Sequence, residues 1–238
     1  MTRLFACLIF ACCYCFAEVS FSQEALGNKP ALKTITIMPV GDSITEGSDA
    51  FVVYRSSLFQ KLQSAGYSVT FVGSRKRGSF RGDALTLNHE AYSGQNVSQI
   101  TAKFEALYQQ NPADILLIHA GHNQFADQKP VPKMLEDTRS MIKMAQKINP
   151  RVTVLLAQVI PSGKLPKYAY IPELNGKLIP LAAKLNSPEH PVVIVNQAEG
   201  FNWETDTISD HVHPNKNGAE KMAARWFESL QKVLPNPQ

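Results

Sequence analysis

A serine with the potential to act as a nucleophile follows the first apolar run of this chain, which ends in Gly41-Asp42-Ser43. The run over residues 35–40 is mostly apolar and β-branched, as in a buried strand, and a helical pattern follows it. Ligands of open α/β sheets bind at the carboxyl edge of the strands, so a hydroxyl at this position is a candidate nucleophile. Glycine, aspartate and serine also end strands in ordinary turns, and the motif alone does not decide between the two interpretations.

A base and an orienting carboxylate are available near the C-terminus. Asp210 and His213 are three residues apart, so one turn could bring the carboxylate to one imidazole nitrogen and leave the other for Ser43. Two alternatives stay open at this point, because Asp210 could cap the last helix and His213 could be a packing residue. His211 and His213 could also resemble a pair of metal ligands, but no nearby Cys or Glu set completes such a site. We therefore predict no metal and no cofactor.

Acyl transfer to a serine would also require hydrogen-bond donors for the oxyanion that develops in the transition state. Two loops contain suitable groups. Gly94 has no side chain, so a substrate can approach its backbone N–H closely, and Asn123 has a side-chain amide. Each of these residues could equally be part of a simple turn.

Short β-rich runs alternate with longer amphipathic segments along the chain. The predicted strands are residues 34–40, 69–73, 114–119, 152–157 and 192–196. Apolar stripes with the 3.6-residue period predict helices around residues 58–65, 97–107, 134–148, 171–185 and 222–233. Pro180 predicts a kink or an interruption in the fourth helix. This alternation favours a parallel sheet that helices cover on both faces, with function carried by the long loops 74–96, 121–130 and 197–215.

The first 22 residues differ in kind from the rest. Arg3 precedes an apolar run over residues 4–16, which is typical of a secretory signal peptide and shorter than a membrane span. We expect cleavage after Ser22, with Ala17 as the other possible position, then a leader over residues 23–32 and one globular domain over residues 33–235. The mature protein would be secreted or periplasmic and would have no membrane span.

All four cysteines lie within this first segment. The mature domain would therefore contain no disulfide, no thiol nucleophile and no thiolate metal ligand, although a lipid anchor on one of these cysteines remains possible. The chain has 238 residues, 44% of them hydrophobic, and a formal charge of +4, which suits one globular domain. The densest basic spot, Arg75-Lys76-Arg77, is interpreted as a solvated loop rather than an anion site, and no basic surface with interleaved aromatic residues suggests nucleic acid.

Four separated pieces of the sequence together resemble the SGNH (GDSL-type) hydrolases over nearly the whole chain after residue 35. They are Gly41-Asp42-Ser43-Ile44, Gly94, Gly121-x-Asn123 and Asp210-x-x-His213-Pro214, in the block order of that family. A narrower likeness to acetyl xylan esterases of the SGNH type is carried by residues 37–47, 54–58, 71–74, 89–94, 157–161 and 213–218.

The resemblance implies a flavodoxin-like three-layer α/β/α sandwich. The five predicted strands would form its five-stranded parallel sheet. It implies Ser43 as the nucleophile, His213 as the general base and then acid, and Asp210 as the residue that orients His213. The oxyanion hole would consist of the N–H of Ser43, the N–H of Gly94 and the side chain of Asn123.

The function expected from this resemblance is that of a secreted serine esterase. It would remove small acyl groups such as acetyl from a polysaccharide or oligosaccharide such as acetylated xylan. A lipase or lysophospholipase of the same fold is an alternative, although the loops contain no continuous apolar stretch for a long acyl chain. A carbohydrate-binding protein without catalysis is a third possibility, motivated by the altered loop over residues 121–124.

Three residues depart from the pattern of the family. Gln124 replaces the usual Asp, His122 replaces a small residue, and Gln95 stands where an aromatic residue is common. None of these positions carries a transferred catalytic role. We expect His122 to lie in an exposed loop or to line the pocket, and the substrate preference could differ from that for xylan.

Overall fold

The computed structural model of the chain describes residues 34–237. The expected signal peptide, its two possible cleavage sites, the leader and all four cysteines lie outside the described residues. No helix among the residues described is both long enough and apolar enough to cross a membrane.

A seven-stranded sheet is built around β1 (Ile35–Gly41). The other strands are β2 (Val69–Phe71), β3 (Arg75–Arg77), β4 (Leu87–Ala91), β5 (Ile115–His119), β6 (Thr153–Gln158) and β7 (Val192–Asn196). The order across the sheet is β3-β4-β1-β5-β6-β7, and β2 also pairs with β1. All pairs are parallel except β3 with β4. The five strands predicted from apolar runs are confirmed as β1, β2, β5, β6 and β7.

The predicted number of strands is wrong, because β3 and β4 lie in the segment 74–96 that was predicted to be a loop. β3 consists of three basic residues, so it lacks the apolar pattern that reveals a buried strand. β2 pairs with residues 35–37 of β1 and β4 with residues 40 and 41, so the two short strands occupy one edge of β1 in turn. Gly73 lies between them with a φ of 141°, and a Cβ there would be 2.4 Å from the carbonyl oxygen of His89.

Residues 34–237 contain five long α-helices and two α-helices of a single turn. Their bounds are α1 (Ser43–Glu46), α2 (Arg55–Ser64), α3 (Val97–Gln110), α4 (Val131–Ile148), α5 (Ile171–Leu185), α6 (Trp203–Asp206) and α7 (Lys216–Gln231). The five predicted helices are confirmed as α2, α3, α4, α5 and α7. α5 continues through Pro180 as one helix, so the predicted interruption does not occur.

Alternate residues of the central strands point to opposite faces of the sheet, and each face has its own core. Met38 and Leu116 pack with α3, α4 and α5 on one face, whereas Ile37 and Leu117 pack with α2 and α7 on the other. Burial of each such side chain stabilises the fold by about 1.5–3 kcal/mol. The predicted three-layer α/β/α sandwich is therefore confirmed.

The parallel register brings three strand ends together. Gly41, the last residue of β1, is paired with Ala91 at the end of β4 and with His119 at the end of β5. The segments that follow these strands contain Ser43, Gly94 and Asn123. The candidate residues from three distant parts of the sequence thus meet at one edge of the sheet.

Candidate functional site

Ser43 is the first residue of α1 and follows β1 after one residue, Asp42. The Asp42 side chain caps α1 by accepting a hydrogen bond of 3.0 Å from the backbone N–H of Ile44. A Cβ at Gly41 would lie 2.3 Å from the carbonyl oxygen of His119, so a residue without a side chain is needed where β1 and β5 end side by side. This packing fixes the turn that presents Ser43 at the edge of the sheet.

His213 connects Ser43 with Asp210. Its Nε2 lies 2.8 Å from the Oγ of Ser43, and its Nδ1 lies 2.5 Å from Oδ2 of Asp210. Oδ1 of Asp210 accepts hydrogen bonds from the backbone N–H groups of Val212 and His213, at 2.9 and 3.0 Å. The structure thus brings the three residues together in the order that makes a serine hydroxyl a nucleophile in other proteins.

The alternative interpretation of Asp210 as the cap of the last helix is wrong. α7 is capped by Asn215, whose side chain accepts a hydrogen bond from the N–H of Gly218, and Asp210 has no part in that cap. Both ring nitrogens of His213 are engaged, which leaves none for a metal, and the His211 ring packs edge to face on Trp203. Within residues 34–237 there is no group of three or more His, Cys, Asp or Glu side chains that could hold a metal ion.

The two aspartates near Ser43 have opposite electrostatic environments. Burial opposes the ionisation of Asp210, but the hydrogen bonds from the side chain and backbone of His213 and from Val212 outweigh it and lower the pKa of this carboxyl. Burial raises the pKa of Asp42 to about 6, against the hydrogen bonds that it accepts from the backbone of Ile44 and His122. Asp210 is therefore the carboxylate suited to pair with an imidazolium, and Asp42 serves the geometry of the turn.

The two predicted oxyanion loops are joined to each other. Asn123 has a φ of 66°, and its Nδ2 donates a hydrogen bond of 3.0 Å to the carbonyl oxygen of Gln95. Gly94 has a φ of 76°, and a Cβ there would meet nothing within 4 Å, so the space above it is open. Among the described residues, none accepts a hydrogen bond from the N–H of Gly94 or of Ser43. These two groups are consequently free to donate to a substrate.

Glu46 holds the Gly94 loop against the turn that contains Ser43. Its Oε2 accepts a hydrogen bond of 2.6 Å from the N–H of Ser93, and its Oε1 forms an ion pair of 2.5 Å with Arg75. Arg75 lies in β3 and is half-buried, so the interpretation of this basic segment as a solvated loop is wrong. The basic residues escaped correct interpretation because their carboxylate partners lie about 30 residues away in sequence.

Arg55 is a further residue that sequence reasoning missed. It is fully buried, and its guanidinium donates to five backbone carbonyls at 2.7–3.2 Å: those of Thr45, Glu46, Arg77, Gly78 and Leu87. Burial lowers the pKa of Arg55 to about 10. The side chain thereby fixes the end of α1, beside Ser43, to the hairpin of β3 and β4.

Phe51 stacks on the imidazole of His213. The ring centroids are 4.1 Å apart, and the ring planes are inclined by 23°. The loop that carries Phe51 is held by Asp49, which pairs with Arg77 at 2.7 Å. The aromatic ring covers one face of the imidazole and limits the orientations that His213 can adopt. No sequence pattern marks this contact, since 162 residues separate the two rings.

His122 is buried, with 1% of its side chain exposed. The prediction of an exposed loop histidine is therefore wrong, and a side chain covered to this extent does not line an open pocket. Its ring packs edge to face on Tyr168 at a centroid distance of 5.2 Å. Burial lowers the pKa of His122 well below its usual range, and the positive charges of His119 and His213 would act in the same direction. His122 therefore forms part of the core beneath Asn123.

The comparison with protein families agrees with this geometry. Residues 40–221 match the model of the GDSL-like Lipase/Acylhydrolase family. The chain belongs to this family. The resemblance to GDSL-type hydrolases inferred from the four sequence blocks is therefore confirmed, and the match includes Ser43, Gly94, Asn123, Asp210 and His213.

Among solved structures, this GDSL-like chain is similar to two family 3 carbohydrate esterases. The one from Talaromyces cellulolyticus is 26% identical with a TM-score of 0.74, and the match covers 84% of this chain and 98% of that chain. The one from Clostridium thermocellum is 28% identical with a TM-score of 0.70, and the match covers 84% of this chain and 97% of that chain. A multidomain esterase from Ruminococcus flavefaciens is 26% identical over 86% of this chain, which spans 29% of the length of that relative.

Proposed function

We propose that this GDSL-like chain is a carboxylic-ester hydrolase that removes acetyl groups from a carbohydrate through a Ser–His–Asp acyl-enzyme mechanism. The observation that carries the proposal is the continuous hydrogen-bonded series from Asp210 through His213 to Ser43, beside the free N–H groups of Ser43 and Gly94. The similarity to two family 3 carbohydrate esterases supports a carbohydrate as the substrate.

In the first half of the proposed reaction, the Oγ of Ser43 bonds to the acetyl carbonyl carbon while its proton moves to Nε2 of His213. The Asp210 carboxylate stabilises the imidazolium that forms. Nε2 then returns the proton to the sugar oxygen as the ester bond breaks, and acetyl-Ser43 remains. In the second half, water attacks this acyl group, gives its proton to His213, and acetate leaves as Ser43 recovers its proton.

Negative charge develops on the carbonyl oxygen in both halves. The N–H groups of Ser43 and Gly94 and the side-chain amide of Asn123 are the donors that we assign to this oxygen. They are fixed before substrate binds, because Glu46 holds Ser93 and Asn123 is bonded to Gln95. Donors that need no reorganisation during the reaction are the most effective in stabilising such a charge.

Truncation of the Asn123 side chain tests this assignment. We expect Asn123→Gly to lower kcat for 4-nitrophenyl acetate by about 10²–10³-fold, with little change in KM, because one oxyanion donor is lost. Glycine is chosen because it accepts the φ of 66° at this position, whereas Asn123→Ala adds backbone strain. Equal losses of kcat in the two variants would show that the loss comes from the missing amide and not from backbone strain. A loss below about threefold in Asn123→Gly would contradict the assignment.

Acetate release from a panel of substrates tests the proposed function itself. The panel consists of 4-nitrophenyl acetate and acetylated xylan, mannan, pectin and chitin oligomers. We expect acetate from the aryl ester and from at least one glycan, with acetylated xylan as the leading candidate. Hydrolysis of aryl esters that favours acyl chains of eight or more carbons would instead support the lipase alternative. Carbohydrate binding without any ester hydrolysis would support the binding-protein alternative.

Export is a separate part of the proposal. Arg3 and the apolar run over residues 4–16 support a signal peptide that is removed after Ser22, which would leave the domain over residues 33–235 outside the cytoplasm. A secreted or periplasmic location would give the enzyme access to a polysaccharide that does not enter the cell.

A further inference from the structure

A cavity of about 600 Å³ lies between α2, α7 and the loop over residues 79–84. Ligand sites in proteins commonly occupy about 300–1,000 Å³, so the volume is sufficient for a small molecule or for one unit of a polymer. None of the residues assigned to the proposed reaction lines it. Its lining includes the side chains of Val52, Gln60, Phe80 and Lys216.

The cavity adjoins the candidate active site through two chain segments. Val52 lines the cavity, and its neighbour Phe51 is the residue that stacks on His213. Lys216 also lines the cavity and begins α7, three residues after His213. Adjacent Cα atoms are about 3.8 Å apart. The Cα atom of Val52 is therefore one such step from that of Phe51, and the Cα atom of Lys216 is at most three such steps from that of His213.

Most polar groups of the cavity are already bound to other residues. Ser56 donates to Asp83, which also accepts from Ser79, and Ser57 donates to Glu220. Gln60 and Lys216 differ, since both are exposed and neither side chain donates a hydrogen bond within the described part of the chain. The cavity therefore has one amide and one ammonium group that remain available to a ligand.

Phe80 supplies an aromatic surface beside these donors. It is one of four large hydrophobic residues with exposed side chains in the described chain, with 42% of its surface accessible. A pyranose ring has an apolar C–H face that packs on an aromatic ring and a rim of hydroxyl oxygens that accept hydrogen bonds. A fatty acyl chain has no acceptor for hydrogen bonds from the amide of Gln60 or the ammonium of Lys216. The lining therefore matches a sugar better than a lipid.

We propose that this cavity is a subsite for a sugar unit that neighbours the acetylated one, with Phe80 as its platform and Gln60 and Lys216 as donors to its hydroxyl groups. The inference rests on the proposed function, because it concerns the same polymeric substrate. Such a subsite explains how an enzyme that removes a small acyl group could recognise the polysaccharide that carries this group.

Phe80→Ala tests the subsite against a matched control. The measured quantity is kcat/KM for acetylated xylotetraose divided by kcat/KM for 4-nitrophenyl acetate, which is too small to reach both sites. We expect Phe80→Ala to lower this ratio by about tenfold and Gln60→Ala by about threefold. Ile179→Ala should leave the ratio at the value of the unsubstituted protein, since Ile179 is similarly exposed, at 47%, but lies on α5 across the sheet.

Each outcome has a distinct meaning. An unchanged ratio in Phe80→Ala overturns the subsite and leaves the proposed function intact, since a general folding defect lowers both rates together. Failure of the unsubstituted protein to release acetate from any glycan overturns the proposed function, and the subsite with it. A loss of octanoyl relative to acetyl aryl-ester hydrolysis in Phe80→Ala would assign the cavity to an acyl chain and also overturn the subsite.

Discussion

Replacement of Ser43 by alanine is expected to reduce kcat for acetyl-ester hydrolysis by about 10⁴–10⁶-fold. The variant lacks the oxygen that forms the acyl-enzyme, and His213 is left without the proton that it would accept. What remains is the rate that the free N–H groups and binding can provide to attack by water. The measurement is steady-state hydrolysis of 4-nitrophenyl acetate, with circular dichroism and thermal unfolding to confirm that the fold is retained.

The other two members of the hydrogen-bonded series supply the controls. His213→Ala should cost about as much as Ser43→Ala, whereas Asp210→Asn should cost about 10²-fold less, because the imidazole keeps its contact with the serine. Groups that act as one unit are not additive, so Ser43→Ala combined with His213→Ala should be no slower than either single variant. Near-normal turnover by folded Ser43→Ala would show that another group is the nucleophile.

Acidification from pH 6.5 to about pH 4.5 is expected to lower the free energy of unfolding steeply. His89, His119 and His122 are buried in their neutral forms. Burial lowers the pKa of His89 to about 3 and that of His119 to about 4, and it lowers the pKa of His122 well below its usual range. In the unfolded chain each imidazole has a pKa near 6.5, so the excess of protons bound by the unfolded state grows from about one and a half at pH 6.5 to almost three near pH 5. Stability is consequently lost as the pH falls.

Asp42 acts in the opposite direction. Its pKa is raised from 3.8 to about 6, so in part of this interval the folded state holds one proton that the unfolded state has released. The net uptake on unfolding is therefore three protons minus one, or about two near pH 5. Each proton corresponds to about 1.4 kcal/mol per pH unit, which gives a slope of about 2–3 kcal/mol per pH unit.

Urea unfolding at several pH values between 7 and 4.5 measures this slope. His89→Asn serves as the comparison, because an amide oxygen can replace the ring nitrogen that accepts a hydrogen bond from the N–H of Ala91. The slope in this variant should decrease by about 1.4 kcal/mol per pH unit, since one titrating group is gone. A free energy of unfolding that does not depend on pH in this range would contradict the assignment of neutral buried histidines.

The residues of the proposed reaction could be found from the sequence because their chemical types are rare in combination and their spacing is local. Asp210 and His213 meet across a single turn, and Ser43 follows an apolar strand that is visible as such. β3 and β4 could not be found in the same way. They are short and mostly polar, and they exist as strands only because β4 pairs with an edge of β1 and β3 pairs with β4.

The contacts that hold the site residues in position could not be predicted from the sequence for a different reason. The stacking of Phe51 on His213 and the pairing of Glu46 with Arg75 join residues that are distant in sequence, so no local pattern contains them. His122 was expected to be exposed because histidines in loops usually are, whereas the packing of Tyr168 over this loop decides its burial. Sequence patterns identify groups that react, and tertiary packing decides which groups hold them in position.

The five carbonyl contacts of Arg55 have a consequence for local unfolding. The end of α1, the hairpin of β3 and β4, and α2 share this one side chain, so opening any of them would leave buried donors or acceptors without partners. Such segments open together as one cooperative unit rather than separately. The turn that carries Ser43 is thus stabilised through a buried side chain that makes no contact with the reacting groups, and it opens only when the hairpin opens with it.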